Sequence, residues 1–153
     1  MTTTTAPSLD PRVIALAHYA GRAILESVLA GHGVTFQQSV TLRLAALADG
    51  PLERDRLAGS VTSALKTGPA EAHGVIDALV AARLLAPEGA SRVRITDAGR
   101  ELYTTTSRET APFTARIYDG IPREDLAVAG RVLRLITERA DAELAALSGS
   151  PQK

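Results

Sequence analysis

The side chains that could do chemistry lie in two short stretches near the middle of the chain. In "TGPAEAHG", residues 67–74, Glu71 and His73 follow a Gly-Pro turn. In "RVRI", Arg92 and Arg94 alternate with apolar residues. Base edges in the major groove of DNA are recognised by side-chain donors, and by carboxylates that accept from cytosine. Arginines on one strand face contact phosphates or enter a narrow minor groove. These residue types therefore indicate contact with nucleic acid.

Each of these side chains also has a purely structural interpretation. Glu71 would lie in the first turn of a helix, where a carboxylate suits the helix dipole even if it never meets a cytosine. His73 could donate to a purine or be an ordinary exposed polar residue. Arg92 and Arg94 could be solvated arginines on the polar face of a strand. The residue types alone leave these alternatives open.

The turn before this helix offers contacts to phosphate. Lys66 and Thr67 lie in the turn, and the helix start at Ala70 could hold a phosphate through backbone N–H groups. Arg54 and Arg56 are weaker phosphate candidates, because acidic residues alternate with them. Non-specific phosphate contacts are thus expected beside any base contacts.

Little in the sequence supports an enzyme. The chain has no cysteine, which removes disulfides, thiolate metal sites and cysteine redox sensing. The three histidines are scattered, and Ser60 and Ser63 have no evident base partner. We expect no catalytic residues, no metal site and no cofactor.

Composition and charge limit the remaining classes. The 153 residues are 45% hydrophobic but only 3% aromatic, a mixture rich in Ala and Leu that favours helix. Charge is balanced, with 17 basic and 17 acidic residues, so a nucleic-acid site must come from local clustering. No apolar run approaches the length of a membrane span, and the start "MTTTTAPSLD" lacks the regions of a signal peptide. A cytoplasmic protein without membrane contact is expected.

The elements that would position these residues are mostly helices. Asp10 followed by Pro11 predicts the start of the first helix. Thr35 and Gln38 form a capping box at the start of the second, which ends near Ala48. The remaining predicted elements are a helix over about 53–66, a helix from Pro69, a turn from Pro87 to Ser91, a hairpin strand over 92–95, a helix over 97–118 capped by Thr96 and interrupted or kinked near Pro112, and a last helix over 122–147.

This order predicts a mainly α protein, a winged helix-turn-helix over about 35–96 with a short β-hairpin wing. The first and last helices have apolar faces larger than such a module can cover. The simplest way to bury them is against the same helices of a second copy, which gives a twofold dimer. A dimer also presents two recognition helices to half-sites about one helical turn apart.

The chain resembles the MarR family of transcriptional regulators, of the multiple-antibiotic-resistance type, and its actinobacterial members in particular. The resemblance is carried by "GVTFQQSVTLRLAAL", "SVTSALKTGPAEAHGVIDALVAARLL", "VRITDAGREL" and "IYDGIPREDLAVAGRVLRLITERA", and covers about residues 10–147. Three departures stand out. The third helix is about one turn longer, the Asp-x-Arg of the wing tip is missing, and the positions where members often have Ser, Thr and Arg hold Ala70, Glu71, His73 and Gly74.

The resemblance implies a homodimeric DNA-binding regulator, a repressor released from a pseudo-palindromic operator by a small aromatic or acidic ligand. The predicted DNA-binding residues are Lys66, Thr67, Ala70, Glu71, His73, Gly74, Arg92 and Arg94. The residues that could line a ligand cleft are His18, Tyr19, Arg22, Gln38 and Arg43, although ordinary polar roles at a dimer interface or surface remain open for them. The alternative function is a dimer of the same fold that has lost specific DNA reading and serves as a ligand-binding or protein-interaction module.

The same resemblance divides the chain by role. Residues 35–96 form the predicted DNA-binding lobe, and 10–32 and 97–147 the dimerisation helices. Residues 1–9 and 148–153 are predicted to be tails.

Overall fold

The computed structural model describes residues 5–149, in which six helices and three short strands follow the predicted order. The mainly α winged helix-turn-helix is confirmed. The elements are α1 (Pro11–Ala30), α2 (Phe36–Leu47), β1 (Leu52–Glu53), α3 (Arg54–Leu65), α4 (Pro69–Ala81), β2 (Leu85–Glu88), β3 (Arg92–Ile95), α5 (Asp97–Tyr118) and α6 (Arg123–Gly149).

Three helices begin where the sequence places a capping residue. The Asp10 carboxylate accepts from the backbone N–H of Val13 at 2.8 Å. At the start of α2, the Gln38 N–H donates to the Thr35 hydroxyl at 3.1 Å, and the Gln38 side chain accepts from the Thr35 N–H at 3.0 Å. The Thr96 hydroxyl accepts from the N–H of Gly99 at 3.0 Å. All three predicted caps are therefore confirmed.

The sheet is larger than the predicted hairpin. Three antiparallel strands pair in the order β1–β3–β2, so β1 adds a strand that the sequence did not reveal. With only Leu52 and Glu53, β1 is too short to show an alternating pattern. The predicted turn over residues 87–91 is confirmed only for residues 89–91, because Pro87 and Glu88 belong to β2, an edge strand, where proline is tolerated.

The core lies within residues 35–96, the winged helix-turn-helix lobe. It joins α2, α3, α4 and the sheet through ten buried side chains: Leu42, Ala45, Leu57, Ala58, Val61, Ala72, Ile76, Leu79, Leu85 and Val93. Burying that much apolar surface fixes α4 and the strands in one rigid body. The chain divides into two compact units, one ending at Thr114 and one starting at Ala115. The lobe therefore belongs entirely to the first unit.

Gly99 marks a close approach between α5 and the segment before β2. A Cβ atom built at Gly99 would lie 2.1 Å from the carbonyl oxygen of Leu84. No side chain fits there without moving the backbone. The Thr96 hydroxyl also donates to the carbonyl of Arg83 at 2.7 Å, so α5 starts at a fixed position beside the end of α4.

The outer helices differ from the lobe. In the structure α5 is continuous through Pro112, so the predicted interruption is wrong. α6 has no buried residue, and α1 buries only Leu29. α6 continues to Gly149, two residues into the predicted tail, and residues 1–4 and 150–153 of the predicted tails lie outside the described residues.

α1 is also apolar enough, by length and composition alone, to cross a membrane. The most apolar 18 residues of this helix have a mean hydropathy of 1.3. The sequence-based expectation that no apolar run is long enough is therefore too strict for α1. An amphipathic helix that covers apolar surface passes the same test, and Arg22 and Glu26 of α1 form an ion pair at 3.1 Å.

Candidate nucleic-acid interface

One face of α4 is open to solvent at its N-terminal end. Ala70, Glu71 and Gly74 are exposed, whereas Ala72 and Ile76 are buried in the core. A Cβ atom added at Gly74 would meet nothing within 4 Å. This face has the shape of a recognition helix, but it carries one charged group and two of the smallest residues.

His73 is held by α3 instead of pointing freely to solvent. The Nδ1 atom of His73 accepts from Arg54 Nε at 3.1 Å, and its backbone carbonyl accepts from a terminal nitrogen of Arg54 at 3.2 Å. The same nitrogen donates to Asp77 at 2.5 Å. The His73 side chain is 34% exposed, so the interpretation as an ordinary exposed residue does not fit.

The bond from Arg54 fixes which nitrogen of His73 could serve a base. Because Nδ1 accepts, the neutral ring carries its proton on Nε2. The nearest carboxylate oxygen, that of Asp55, is 3.6 Å from Nε2, too long for a hydrogen bond. His73 therefore has one N–H left to donate to a purine.

Arg54 has a structural contact to α4 that its sequence context does not predict. The sequence suggested a weak phosphate contact, but its guanidinium is committed to His73 and Asp77 on α4. The interaction joins residues 19 and 23 positions apart on two helices. Only the crossing of α3 and α4 brings these residues together, and no local spacing signals it.

The turn before α4 offers backbone groups more than side chains. Lys66 ends α3 in the left-handed conformation and is exposed. The Thr67 hydroxyl oxygen is buried and, among the described residues, has no hydrogen-bond partner, so it does not face a phosphate. Within that same part of the chain, no side chain caps the start of α4 at Gly68. The first-turn N–H groups are therefore available to an anion.

The wing, defined here as β2, β3 and residues 89–91 between them, exposes two arginines. Arg92 and Arg94 are exposed on β3 while Val93 between them is buried, as the predicted alternation requires. The partner strands give the two arginines different neighbours. Arg92 lies opposite Glu53 on one side and Glu88 on the other, and residues directly opposite share a sheet face.

Arg94 has no such acidic neighbour on β2, where it lies opposite Ala86. Among the described residues, neither Arg92 nor Arg94 forms an ion pair with a carboxylate. One Glu88 side-chain oxygen is buried and, in residues 5–149, has no hydrogen-bond partner. Both arginines are thus free to meet DNA, but Arg92 does so beside two carboxylates.

Two of the predicted ligand residues, His18 and Arg22, lie beside the aromatic ring of Phe36, and Tyr19 lies beside His18. The guanidinium of Arg22 lies 4.2 Å from the ring centroid of Phe36 on α2 and also pairs with Glu26. The His18 ring lies 6.3 Å from that of Phe36 and 5.9 Å from that of Tyr19. These contacts bind α1 to α2, and they occupy the charge of Arg22.

The other two predicted ligand residues lie apart from that group. Arg43 is exposed on α2. Gln38 lines a cavity of about 570 Å³ between the α1–α2 connection, the end of α4 and the start of α5. The eleven lining residues are His32, Gly33, Val34, Gln38, Leu79, Ala82, Leu84, Ala98, Glu101, Leu102 and Thr105. Of the five predicted residues, only Gln38 belongs to this lining.

No protein-family model and no curated protein matches the sequence. Solved structures do match. CouR from Rhodococcus jostii RHA1, bound to p-coumaroyl-CoA, superposes with a TM-score of 0.69 at 17% identity, over 82% of this chain and 88% of that one. NadR in complex with 4-hydroxyphenylacetate gives 0.69 at 21%, over 84% and 95%. A MarR-family transcriptional regulator from Silicibacter pomeroyi gives 0.67 at 20%, over 82% and 86%.

These similarities extend over most of each chain, so the whole arrangement of helices and sheet is shared. The resemblance to MarR-family regulators is confirmed for the fold. At about one identical residue in five, the shared fold does not carry the function of those proteins to this chain. Function resides in the residues of the site, which a fold does not determine.

Proposed function

We propose that the protein is a homodimeric DNA-binding regulator of transcription, a repressor that a small ligand releases from its operator. The observation that carries the proposal is that the open N-terminal face of α4 and the two unpaired wing arginines belong to one rigid lobe. A helix end with free N–H groups and a nearby arginine-bearing hairpin suit the major groove and an adjacent minor groove. No catalytic role is proposed for any residue.

Binding through this surface would depend more on the DNA backbone than on base edges. α4 offers Glu71 and the Nε2 proton of His73 to base edges, and the small Ala70 and Gly74 permit close approach without donors. Lys66, the turn backbone and the wing arginines would supply the charge that attracts phosphates. Modest sequence discrimination follows.

The proposed dimer would bury the outer helices. α6 exposes several large apolar side chains, with Val128 at 47% and Leu144 at 46%. α1 exposes Leu16 at 56% and Tyr19 at 64%. Large exposed apolar faces mark association surfaces in soluble proteins. We therefore assign residues 10–32 and 97–147 to dimerisation and 35–96 to DNA, in a cytoplasmic protein whose α1 packs against protein and not against lipid.

The proposed ligand would bind next to the lobe. CouR and NadR were solved with p-coumaroyl-CoA and 4-hydroxyphenylacetate, which are aromatic compounds. In this chain the cavity lined by Gln38 touches the end of α4, so an occupant would contact the proposed recognition helix directly. His18, Tyr19, Arg22 and Arg43 remain candidates for a second part of a ligand site at the proposed dimer interface.

Footprinting on the DNA upstream of the gene that encodes this chain tests the proposal. Two protected half-sites, with centres about one helical turn apart, are expected for a twofold dimer. Light scattering at micromolar concentration should give twice the mass of one chain. Absence of protection at low salt, or a monomer in solution, would contradict the proposal.

A second function is favoured by the composition of α4. Ala70 and Gly74 occupy its exposed face, and the half-buried His73 is bonded to Arg54. A dimer that kept the fold but lost DNA reading, and that binds a ligand or a protein, would show this pattern. Such a protein would not bind duplex DNA in a salt-dependent manner, which separates it from the first proposal.

A further inference from the structure

We infer that the cavity between α2, α4 and α5 takes an apolar organic cation, with Glu101 as the counter-ion. The inference rests on the proposed function, because it names the chemical class of the ligand to which the regulator would respond. The volume of about 570 Å³ lies in the usual range for small-molecule sites. Glu101 and Leu102 line the cavity from α5, Leu79 and Leu84 from α4 and the segment after it.

The lining is apolar with a few polar groups, and its formal charge is negative. Six of the lining residues have apolar side chains: Val34, Leu79, Ala82, Leu84, Ala98 and Leu102. The polar ones are His32, Gln38, Glu101 and Thr105. Glu101 is an acid, and neither a lysine nor an arginine is among the described residues that line the cavity. An acidic ligand would therefore meet a carboxylate with no guanidinium or ammonium to offset it.

His32 does not supply the missing positive charge. Its Nε2 atom lies 2.8 Å from a side-chain oxygen of Glu109, so any charge on the ring is already balanced. Gln38 is also engaged, because its side-chain oxygen accepts from the N–H of Thr35. What this amide still offers the cavity is its NH₂ group, a neutral donor.

Each of the two helix starts at the cavity has one first-turn N–H group capped by a side chain. A free helix N-terminus binds anions through its N–H groups. At the start of α2 the N–H of Gln38 is bonded to the Thr35 hydroxyl, and at the start of α5 the N–H of Gly99 is bonded to the Thr96 hydroxyl. Among the described residues that line the cavity, Glu101 is the one carboxylate, and no lysine or arginine offsets its charge. An ammonium group would pair with Glu101 while its apolar body lies against Leu79, Leu84 and Leu102.

Two probes with the same ring and opposite charge test this directly. Tyramine and 4-hydroxyphenylacetate both carry a 4-hydroxyphenyl group, one with an aminoethyl and the other with a carboxymethyl chain. In calorimetric titrations of the full chain without DNA, tyramine should bind at least tenfold more tightly than the acid. Glu101→Gln should weaken tyramine binding about tenfold. This is the lower end of the effect usual for a hydrogen bond to a charged group, because Glu101 is exposed. Glu101→Lys should reverse the preference.

Asp49→Asn is the matched control. Asp49 is an exposed acid just past the far end of α2, which itself extends roughly 13 Å beyond Gln38, and its substitution should leave both affinities unchanged. Tighter binding of the acid by the native chain, no binding of tyramine, or unchanged tyramine affinity in Glu101→Gln would overturn the inference.

DNA binding is measured separately, so the two proposals can fail separately. A chain that binds its operator but not tyramine overturns only the ligand class. A chain that prefers tyramine through Glu101 but binds no DNA keeps the ligand class and overturns the regulator.

Discussion

The polar side chains of α4 and those of the wing differ in their partners. On α4, His73 and Asp77 are both bonded to Arg54 of α3, and this network joins the two helices of the helix-turn-helix. On the wing, Arg92 and Arg94 are exposed and, among the described residues, make no ion pair. The helix expected to contact the bases thus uses two of its polar side chains to hold its position against α3. The charged side chains of the hairpin remain available to DNA.

This difference indicates how labour would be divided on DNA. A recognition helix held by Arg54 is presented at a fixed angle, but it brings few donors to the bases. The wing brings full charges, which attract phosphates at any sequence. The expected result is a protein with strong salt dependence and weak discrimination. Four variants test this comparison.

The largest effect is expected from removing both wing arginines. Arg92→Ala with Arg94→Ala should lower operator affinity about 100-fold, since a bond to a charged group contributes about 1.5–3 kcal/mol. The slope of log affinity against log salt should also fall by about two contacts' worth. Anisotropy titrations measure both. Arg108→Ala, an exposed arginine of α5, is the control and should change neither. A normal slope in the double variant would show that the wing does not touch DNA.

Arg54→Ala should act on the fold first. It removes the donors of His73 and Asp77 and should lower the free energy of unfolding by about 1–2 kcal/mol, a modest value because Asp77 is 68% exposed. Urea denaturation gives this value. Arg56→Ala is the neighbouring control on the exposed side of α3 and should cost less than about 0.5 kcal/mol. Equal losses in the two variants would mean that the α3–α4 network contributes no stability.

Glu53→Gln should strengthen DNA binding. Glu53 lies opposite Arg92 in the sheet, and its carboxylate opposes the approach of phosphates. Exposed charge pairs contribute about 0.2–1 kcal/mol, so a gain of about two- to fivefold is expected at low salt and little at high salt. Titrations at two salt concentrations check this, with Glu138→Gln on α6 as the control. A loss of affinity would show that Glu53 positions Arg92 for DNA instead of weakening it.

The smallest effect is expected at Glu71. Because Glu71 is exposed at the start of α4, Glu71→Ala should relieve repulsion from phosphates. DNA affinity should therefore rise about twofold, on the operator and on a scrambled duplex alike. A change confined to stability, of about 0.3–1 kcal/mol, would indicate only a helix-dipole role. A fall in discrimination at one base pair would show that Glu71 reads cytosine, and would contradict the weak reading assigned to α4.

The sequence predicted what depends on local chemistry and missed what depends on contacts across the fold. Asp10, Thr35 and Thr96 cap helices because their side chains accept from the backbone N–H three residues further on. Such a short spacing can be recognised in the sequence. The strand β1 was not predicted because its two residues are too few to show the alternation of apolar and polar side chains that marks a strand. Its absence also concealed that Glu53 would lie beside Arg92.

The candidate sites show the same division. Exposure of Arg92 and Arg94 followed from alternation along one strand. The bond from Arg54 to His73 and Asp77 spans two helices, and no spacing indicated it. Gln38 is the one residue of the cavity lining that the sequence analysis predicted as a ligand contact. Glu101 was not predicted, because it lies more than sixty residues further along the chain and reaches the cavity only through the packing of α5.

Whether the native protein binds DNA mainly through phosphate contacts can be measured from the salt dependence of its affinity. Affinity for the upstream operator and for a scrambled duplex of equal length is measured between about 50 and 200 mM salt. The logarithm of affinity should fall steeply and linearly with the logarithm of salt concentration on both duplexes, with a slope near −0.9 for each phosphate contact. Affinity for the operator should exceed that for the scrambled duplex by about 10³-fold, which is the low end of the usual range for specific DNA-binding proteins. No binding to either duplex at 50 mM salt, or binding that does not change with salt, would contradict this mode of binding.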